Sequence, residues 1–253
     1  MVLKRLRAYF FMKNKAISVI IPAYNEEQTI QRNLTKIHNF LKDRFGVFEI
    51  IVVNDGSFDG TSKELKKIQE NLHLRIIDNK TNQGKGKVVK QGILESSCEL
   101  VMFLDADLGI PIEELPKFVL EFDNGYDIVI ASRFVPGLRI VRPVVWYRRI
   151  MEKVFQILRM TIINDWNVRD TQCGFKVFRR KAAMDIFSRV TVERFAFDAE
   201  VIFIANKLKY KIRELPISLQ NPPESHVRLV RDPINMILDL VKIRVNYWKG
   251  KYK

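Results

Sequence analysis

The chain has the sequence LVMFLDAD at residues 100–107, and this stretch decides how the rest of the sequence is interpreted. Its first five residues are apolar without polar alternation, which is typical of a strand buried on both faces of a sheet. Asp105 and Asp107, two carboxylates one residue apart, follow the strand directly. In α/β sheets, ligands bind outside the carboxyl ends of the strands. The stretch therefore predicts a buried strand that delivers two carboxylates to a binding cleft.

Further apolar runs typical of strands lie at residues 16–23, 48–53, 74–78 and 127–131. Between these runs, apolar residues recur at helical spacing, which predicts helices over residues 25–45, 85–96 and 112–124. We interpret Asn25 as the N-cap of the first helix, before Glu26 and Glu27. Strands that alternate with helices predict βαβ units. The predicted fold is therefore α/β, with a mainly parallel central sheet and helices on both faces.

The second half of the chain has a looser pattern. It predicts helices over residues 146–163, 198–208 and 233–247 and strands over residues 174–178 and 212–219. No internal repeat, low-complexity tract or Pro/Gly-rich linker divides the sequence. We therefore predict one core domain over residues 16–220, a basic N-terminal segment over residues 1–15 that could form a membrane-surface helix, and a basic amphipathic segment over residues 221–253.

The composition limits the classes of function. Of 253 residues, 43 are Lys or Arg and 29 are Asp or Glu, so the formal net charge is +14, and 47% are hydrophobic. This hydrophobic fraction suffices for a packed core and argues against a disordered chain. Cys98 and Cys173 are the two cysteines and cannot build a disulfide framework, which favours a reducing, cytosolic compartment. The positive charge predicts a polyanionic partner, namely nucleic acid, a membrane surface or a phosphorylated substrate.

Polar residues follow three of the predicted strands. They are YNEE at residues 24–27, NDGS at residues 54–57 and DAD at residues 105–107. Asp and Asn also form turns and cap helices, so any one set has a purely structural alternative. Three sets at one sheet edge instead predict an acidic cleft. Asp105 and Asp107 could there hold Mg²⁺ or Mn²⁺, which prefer oxygen ligands and bridge carboxylates to phosphates.

Residues 82–87, NQGKGK, place glycines and lysines at the start of a predicted helix. Backbone N–H groups and the helix dipole favour phosphate at such a position. The segment is not a P-loop, because Val88 follows Lys87, and it is not GxGxxG, because Val89 occupies the place of the third glycine. A solvated basic helix is the alternative interpretation.

In order along the chain, SVIIPAYNEE, VVNDGSFDGT, NQGKGK, FLDADLG and ASRF resemble family-2 glycosyltransferases with the GT-A fold. This resemblance covers roughly residues 16–133. Three segments of the second half, DTQCGFKVF at residues 170–178, ERFAFDAEV at residues 193–201 and IRELPIS at residues 212–218, resemble the dolichyl-phosphate β-glucosyltransferase branch. Dolichyl-phosphate mannosyltransferases form the neighbouring branch and share most of the first half.

The resemblance implies inverting, metal-dependent transfer of a hexose, most simply glucose from UDP-glucose, to a polyprenyl phosphate. GDP-mannose as donor and a saccharide as acceptor remain the alternatives. Donor-binding residues would be Pro22, Ala23, Tyr24, Glu26, Asp55, Lys85, Asp105, Ala106 and Asp107. Asp105 and Asp107 would hold Mg²⁺ or Mn²⁺. Residues near the acceptor phosphate would be Arg133, Lys176 and His226. Guanidinium groups suit phosphate, so the arginine cluster near residue 148 adds Arg148 or Arg149 as a hypothesis, and a surface basic patch is the alternative. Catalytic residues would be Asp105, Asp107, Arg133 and Asp198.

Two other assignments have open alternatives. Asp198 could position the sugar or acceptor, or could merely cap the helix that follows, and Glu200 is the second choice at that site. His226 stands in the segment Glu224-Ser225-His226-Val227, where many relatives have a Ser-Lys pair, so its phosphate contact depends on protonation.

The two termini carry much of the positive charge beside apolar residues. Residues 233–248 place apolar side chains at helical spacing, namely Ile234, Ile237, Leu238, Val241, Val245 and Trp248. A basic amphipathic helix that ends in aromatic residues suits a membrane interface, and the alternative is that this stripe packs on the core. No apolar run reaches the ~18–20 residues of a membrane span, so we expect peripheral attachment to the cytosolic side of a membrane. A nucleic-acid-binding protein is disfavoured, because its charge would spread along one face with interleaved aromatic residues.

Overall fold

The structure is a computed structural model that describes residues 12–140, 146–164, 166–219 and 231–252. For Ile140, residues 146–150 and residues 231–232 it describes the backbone alone.

A seven-stranded sheet forms the centre of the molecule, in the order β3-β2-β1-β4-β7-β5-β8. Its strands are β1 (Ala16–Ala23), β2 (Val47–Asn54), β3 (Arg75–Asp78), β4 (Leu100–Leu104), β5 (Ile128–Ser132), β7 (Phe175–Arg179) and β8 (Ile212–Pro216). Strand β7 is antiparallel to both of its neighbours, and all the other pairs are parallel. Outside this sheet, β6 (Arg139–Ile140) pairs in parallel with β9 (Ser218–Leu219). The predicted α/β fold with a mainly parallel sheet is confirmed.

Helices cover both faces of the sheet, as predicted. They are α1 (Ile30–Arg44), α2 (Thr61–Gln69), α3 (Lys85–Leu94), α4 (Leu115–Glu121), α5 (Trp146–Arg159), α6 (Arg180–Arg189), α7 (Phe197–Lys207) and α8 (Arg231–Trp248). A 3₁₀ turn (Ile112–Glu114) precedes α4, and a π-helical turn (Met160–Asn164) follows α5. One core cluster packs α1 and α4 on the sheet, and the other packs α3, α6, α7 and α8 on the opposite face.

The alternation of side chains along β1 explains the two cores. Ile17, Val19 and Ile21 enter the first cluster, and Ile20 enters the second. Since both faces are covered, an apolar run without polar alternation is what such a strand requires.

The structure corrects several predicted boundaries. Helix α1 begins at Ile30 rather than at the predicted Asn25, and Thr29 is its N-cap residue. Asn25 adopts a left-handed φ of 55°, and its side-chain oxygen accepts a hydrogen bond from the Phe58 N–H (3.1 Å). It therefore ties two loops together instead of capping a helix. The strand predicted over residues 212–219 is broken at Ile217 into β8 and β9, and α6 was not predicted at all.

Candidate active site

The three polar sets lie at one edge of the sheet, as the sequence predicts. Ala23 at the end of β1 is in register with Asn54 at the end of β2, and Phe103 of β4 is in register with Ile20 of β1. The parallel strands β1, β2 and β4 therefore end side by side, and the sets that follow them meet at the carboxyl edge.

Hydrogen bonds connect the first two sets directly. The backbone N–H of Asn25 donates to Ser57 Oγ (2.9 Å), and that of Glu26 donates to Thr61 Oγ1 (2.7 Å). The Glu27 carboxylate accepts the N–H of Gly60 (2.6 Å). These bonds hold the YNEE turn against the loop that follows β2, so the two loops together form one wall of the cleft.

Asp105 and Lys85 form the central ion pair of the cleft, with 2.6 Å between Lys85 Nζ and Asp105 Oδ1. Burial by itself would lower the pKa of Lys85, but the carboxylates of Asp105 and then Asp198 raise it above its usual value. Lys85 thus remains a cation beside Asp105. It is well placed to attract the phosphates of a ligand.

Asp107 lies beside Asp105 and is electrostatically strained. Burial raises the pKa of Asp107, and the negative charges of Asp105 and Glu26 raise it further, although its Oδ1 accepts the Gly109 N–H (2.9 Å). A divalent cation between Asp105 and Asp107 would relieve this repulsion.

The protein side chains of the cleft supply only some of the ligands that such a cation needs. Among the described residues, no group of three or more His, Cys, Asp or Glu side chains could hold a metal ion by itself. Asp105 and Asp107 supply two hard oxygen ligands, so substrate phosphate and water would have to complete the shell. This open arrangement is the one that Mg²⁺ commonly adopts with nucleotides.

Gly174 determines where the Asp105 carboxylate lies. A Cβ atom on Gly174 would lie 1.9 Å from Asp105 Oδ2, and the Asp105 N–H donates to the Gly174 carbonyl (3.3 Å). Residues 170–175, which we call the DTQCGF segment, therefore pack directly against the carboxylate pair. This brings the second-half motif to the same cleft as the first-half motifs.

Asp55 holds the loop that presents Lys85. Its two carboxylate oxygens accept the backbone N–H groups of Gln83 (2.6 Å) and Gly84 (3.0 Å). Burial still raises the pKa of Asp55, since these two hydrogen bonds only partly offset the loss of solvation. The predicted contact of Asp55 with the nucleoside stays a prediction.

Close packing explains why glycine occupies positions 84 and 86 in the NQGKGK segment. Gly84 has a φ of 95°, and a Cβ there would lie 2.5 Å from the carbonyl oxygen of Glu193. A Cβ on Gly86 would lie 2.6 Å from Val192 O and Phe197 Cβ. The start of α3 is therefore pressed against the segment that leads into α7, which is how Lys85 comes close to Asp198.

Lys176 and Asp198 form a buried ion pair below the cleft. Lys176 Nζ donates to Asp198 Oδ1 and to the carbonyl of Cys173 (2.6 Å), and it lies 4.8 Å from the centre of the Phe103 ring. Lys176 has no exposed surface. The expected contact of Lys176 with the acceptor phosphate is therefore corrected, because its ammonium group is enclosed by protein and already has partners.

Asp198 lies in the first turn of α7, whose N-cap residue is Ala196, and no side-chain hydrogen bond caps this helix. The alternative that Asp198 merely caps α7 is therefore wrong. Burial raises the pKa of the Asp198 carboxyl, although the cations Lys176 and Lys85 oppose this shift. Asp198 connects the buried ion pair to the Lys85–Asp105 pair of the cleft.

Arg133 is held at the other side of the DTQCGF segment. Its guanidinium donates from Nε (2.8 Å) and Nη2 (3.1 Å) to the two oxygens of Asp170, and Nη1 donates to Glu152 Oε1 of α5 (2.7 Å). Burial would lower the pKa of Arg133, but Asp170 raises it well above its usual range. The predicted phosphate contact of Arg133 stays a prediction, since both carboxylates would have to share the guanidinium with a ligand.

Asp170 is a central residue that the sequence analysis did not assign. Besides the Arg133 side chain, it accepts the backbone N–H groups of Arg133 (3.0 Å) and Gln172 (3.1 Å). Burial would raise its pKa, but Arg133 holds it below the usual value. The available signal was its position at the start of the DTQCGFKVF motif.

Glu200 is not a cleft residue. Its carboxylate is fully buried and accepts bonds from Thr191 N (2.9 Å), Thr191 Oγ1 (2.7 Å), Val192 N (2.7 Å) and the Tyr252 hydroxyl (2.6 Å). Its role as the second choice for the Asp198 site is therefore wrong. The side chains of Arg148 and Arg149, and the whole of His226, lie outside the described residues.

A covered, mostly parallel sheet with an acidic pair and a lysine at its carboxyl edge suits the binding of a phosphorylated ligand together with a divalent cation. The family model "Glycosyl transferase family 2" matches residues 18–187 of the sequence. The chain belongs to this family.

Three relatives that share one name are similar to this chain over most of its length. The chain is 33% identical to dolichyl-phosphate beta-glucosyltransferase of Dictyostelium discoideum, over 95% of this chain and 77% of the relative. It is 33% identical to the protein of that name from Saccharomyces cerevisiae, over 94% of this chain and 76% of the relative. It is 30% identical to the human protein of that name, over 94% and 78% of the two chains.

Solved structures agree on the fold. Glucosyl-3-phosphoglycerate synthase from Mycobacterium tuberculosis, in complex with Mn²⁺, UDP and glucosyl-3-phosphoglycerate, superposes with a TM-score of 0.68. It is 17% identical, and the match covers 94% of this chain and 82% of that chain. Within the described part of the chain, no helix is long and apolar enough to span a bilayer.

Proposed function

We propose that this protein transfers glucose from UDP-glucose to a dolichyl-type polyprenyl phosphate at the cytosolic face of a membrane. The observation that carries the proposal is the similarity, over nearly the whole chain, to relatives named dolichyl-phosphate beta-glucosyltransferase. The cleft supports it, because Lys85 and a carboxylate pair suit a metal-bound diphosphate.

The donor would lie along the carboxyl edge of β1, β2 and β4. Its nucleoside would face the wall that is formed by Pro22, Ala23, Tyr24, Glu26 and Asp55, with Ala106 near the ribose or the sugar. Asp105 and Asp107 would hold Mg²⁺ or Mn²⁺, which would stabilise the negative charge of the leaving diphosphate. Lys85 would add a second positive charge at the same place.

The reaction needs no strong base. The acceptor phosphate is already ionised near neutral pH, so its oxygen can attack the anomeric carbon without losing a proton to the enzyme. As this C–O bond forms, the bond from the anomeric carbon to the diphosphate breaks, and UDP leaves with the electron pair. Attack from the opposite face inverts the configuration, so an α-linked donor gives a β-linked product.

Asp198 fits a positioning role in this scheme. Its carboxylate is paired with Lys176 and lies in the electrostatic field of Lys85, so it would keep the Lys85 side chain aimed at the diphosphate. Arg133 would act at the acceptor side, where Asp170 and Glu152 fix its guanidinium.

The test is transfer by the full chain from radiolabelled UDP-glucose, GDP-mannose or UDP-GlcNAc to dolichyl or undecaprenyl phosphate, with Mn²⁺ or Mg²⁺. We expect a lipid-linked product from UDP-glucose, loss of activity with EDTA and recovery on addition of Mn²⁺. Asp105→Asn should lower kcat at least ~100-fold, because the negative charge that would hold the cation is lost and one of the two carboxylate oxygens becomes an NH2 group, which is not a metal ligand. Asp43→Asn changes an exposed carboxylate on α1 and serves as the matched control.

If lipid-linked product forms from GDP-mannose alone, the transferred sugar is mannose, and the assignment of glucose is wrong. Lack of lipid-linked product with every donor, or full activity of Asp105→Asn in EDTA, would overturn the proposal.

A further inference from the structure

Helix α8 has two apolar faces, and only one of them packs on the core. Leu240 and Ile243 are fully buried in the second core cluster, where α8 packs beside α7 and the π-helical turn. On the other side, Leu238 is 58% exposed and Trp248 is 69% exposed, and Ile234 and Val241 are exposed with them. The alternative that this helix packs on the core is therefore confirmed for Leu240 and Ile243, whereas four members of the apolar stripe named from the sequence are exposed.

Helix α5 continues this exposed apolar surface. It packs beside α8, and its side chains Met151, Val154 and Ile157, spaced three residues apart, are exposed. Trp166, which follows the π-helical turn after α5, is exposed as well. We call the exposed side chains of the two helices and Trp166 the α5–α8 face.

Arg244 joins the two parts of the α5–α8 face. Its Nη1 donates to the carbonyl of Ile163 in the π-helical turn (3.2 Å), and its guanidinium lies 5.2 Å from the centre of the Trp248 ring. This contact fixes α8 beside the end of α5 and orients an aromatic side chain at the rim.

The charges around the α5–α8 face are positive. Among the described side chains of α5 and α8, the carboxylates are Glu152 and Asp239, and each is ion-paired with an arginine, Glu152 with Arg133 (2.7 Å) and Asp239 with Arg194 (2.9 Å). Exposed lysines at the rim are Lys153, Lys242, Lys249 and Lys251. An apolar surface with tryptophan and lysine at its border complements an anionic bilayer, whose headgroups attract the cations while the acyl region accepts the apolar side chains.

The inner side of α5 is attached to the cleft. Glu152 binds Arg133, Gln156 Nε2 donates to the Arg169 carbonyl (2.9 Å), and Arg159 Nη2 donates to the Val168 carbonyl (2.7 Å). These bonds hold the segment over residues 168–174, whose Gly174 touches Asp105. The exposed apolar side chains of α5 and its side chains that contact the cleft segment thus lie on different sides of the same helix.

We propose that the α5–α8 face is a docking surface for an anionic lipid bilayer. Docking would place α5 between the bilayer and the Arg133–Asp170 side of the cleft, one helix diameter (~10 Å) from the headgroup layer in which the phosphate of an embedded acceptor lies. The docking surface rests on the proposed function only for the identity of that acceptor.

The test is co-sedimentation of the full chain with phosphatidylcholine vesicles that contain or lack phosphatidylserine. We expect binding to the anionic vesicles and weaker binding to the neutral ones. The triple variant Ile157→Gln, Leu238→Gln, Trp248→Gln should bind the anionic vesicles at least ~10-fold more weakly, because three exposed apolar side chains no longer enter the bilayer. Val47→Gln changes a side chain that is 62% exposed at the start of β2 and should bind as the wild type does.

Transfer assays separate this proposal from the proposed function. The triple variant should keep transfer to a short, water-soluble polyprenyl phosphate and lose transfer to dolichyl phosphate in vesicles. If the wild type transfers no sugar but its vesicle binding depends on the three side chains, the proposed function fails and the docking surface stands.

Equal vesicle binding by the wild type and the triple variant, with both folded by circular dichroism, would overturn the docking surface. A second result would overturn it as well. Sedimentation equilibrium would show a dimer for the wild type and a monomer for the triple variant, and neither protein would co-sediment with vesicles. In that case a second copy of the chain covers the α5–α8 face.

Discussion

At the scale of single residues, the position of Asp105 depends on a residue that has no side chain. Gly174 lies so close that any Cβ there would occupy the space of the carboxylate, only 1.9 Å from Oδ2. Glycine is needed here because of this close approach. The cleft therefore depends on a contact between two motifs that are far apart in the sequence.

Gly174→Ala should displace the Asp105 carboxylate from Lys85 and from a bound cation. We expect kcat for lipid-linked glucose to fall ~10- to 100-fold and the affinity for UDP in Mn²⁺ to fall by a similar factor, since a misplaced group of this kind costs about that much. Isothermal titration calorimetry and the transfer assay measure these effects.

Gly125→Ala is the control, because a Cβ at Gly125 meets no atom within 4 Å. Its φ of 80° makes alanine cost ~1 kcal/mol of stability without touching the cleft. Unchanged UDP affinity in Gly174→Ala would show that Asp105 does not need this position to bind the donor.

At the scale of elements, α7 carries two buried carboxylates with different tasks. Asp198 points to the cleft and pairs with Lys176. Glu200, two residues later, instead accepts hydrogen bonds from the segment before α7 and from Tyr252 beyond α8. Glu200 therefore connects three parts of the chain, and this explains a buried acid that takes no part in the cleft.

Glu200→Gln should destabilise the protein without weakening donor binding. An amide offers one acceptor oxygen where the carboxylate offers two, and it carries no charge. Either the two N–H groups or the two hydroxyl groups therefore lose their acceptor, and the remaining hydrogen bonds become weaker, at a cost of ~2–3 kcal/mol. Urea unfolding measures the stability, and we expect the affinity for UDP in Mn²⁺ to stay within ~2-fold, since no cleft contact changes.

Glu193→Gln is the control at an exposed ion pair with Lys87 (3.5 Å), where a change within ~1 kcal/mol is expected. A Glu200→Gln variant with wild-type stability and no transfer activity would instead return Glu200 to the list of catalytic candidates.

At the scale of the whole molecule, ion pairs connect parts that the chain order separates. Arg133 follows β5, Asp170 begins the DTQCGF segment and Glu152 belongs to α5, and the three meet in one cluster. The positive residues that make up the net charge of +14 therefore fall into two groups, those held in ion pairs within the fold and those exposed at its surface. Three cations, Arg133, Lys176 and Arg194, are paired with buried carboxylates, whereas the lysines at the rim of the α5–α8 face are exposed.

This cluster predicts a loss of stability in acid. Arg133 holds the pKa of Asp170 below its usual value, so the ionised form stabilises the fold above about pH 4. That contribution is lost as the pH falls from there through the lower pKa of the folded state. The free energy of unfolding, measured in urea at a series of pH values, should decline over this range.

Asp170→Asn should lose ~3–5 kcal/mol at neutral pH, because it leaves the Arg133 guanidinium without its main partner. It should also show a shallower decline in acid than the wild type. Parallel curves for the two proteins below about pH 4 would show that another carboxylate controls the acid transition.

The sequence predicted the strands and the cleft edge well because these are local patterns. Apolar runs such as residues 100–104 and 16–23 are dictated by burial on both sheet faces, and the polar sets that follow them are turn residues. Boundaries failed where tertiary contacts override local preference. Asn25, for example, has the side chain of an N-cap, but it is held by Phe58 in a different loop.

By itself, the sequence determined the α/β class, the family resemblance and the placement of Asp105 and Asp107 after a buried strand, because periodicity and motif order are properties of neighbouring residues. Only the tertiary structure decided the partners of the charged groups. Lys176 pairs with Asp198 across 22 residues and Arg133 with Asp170 across 37. It also decided that one apolar face of α8 is exposed, since a helical stripe does not specify which of its sides the core will cover.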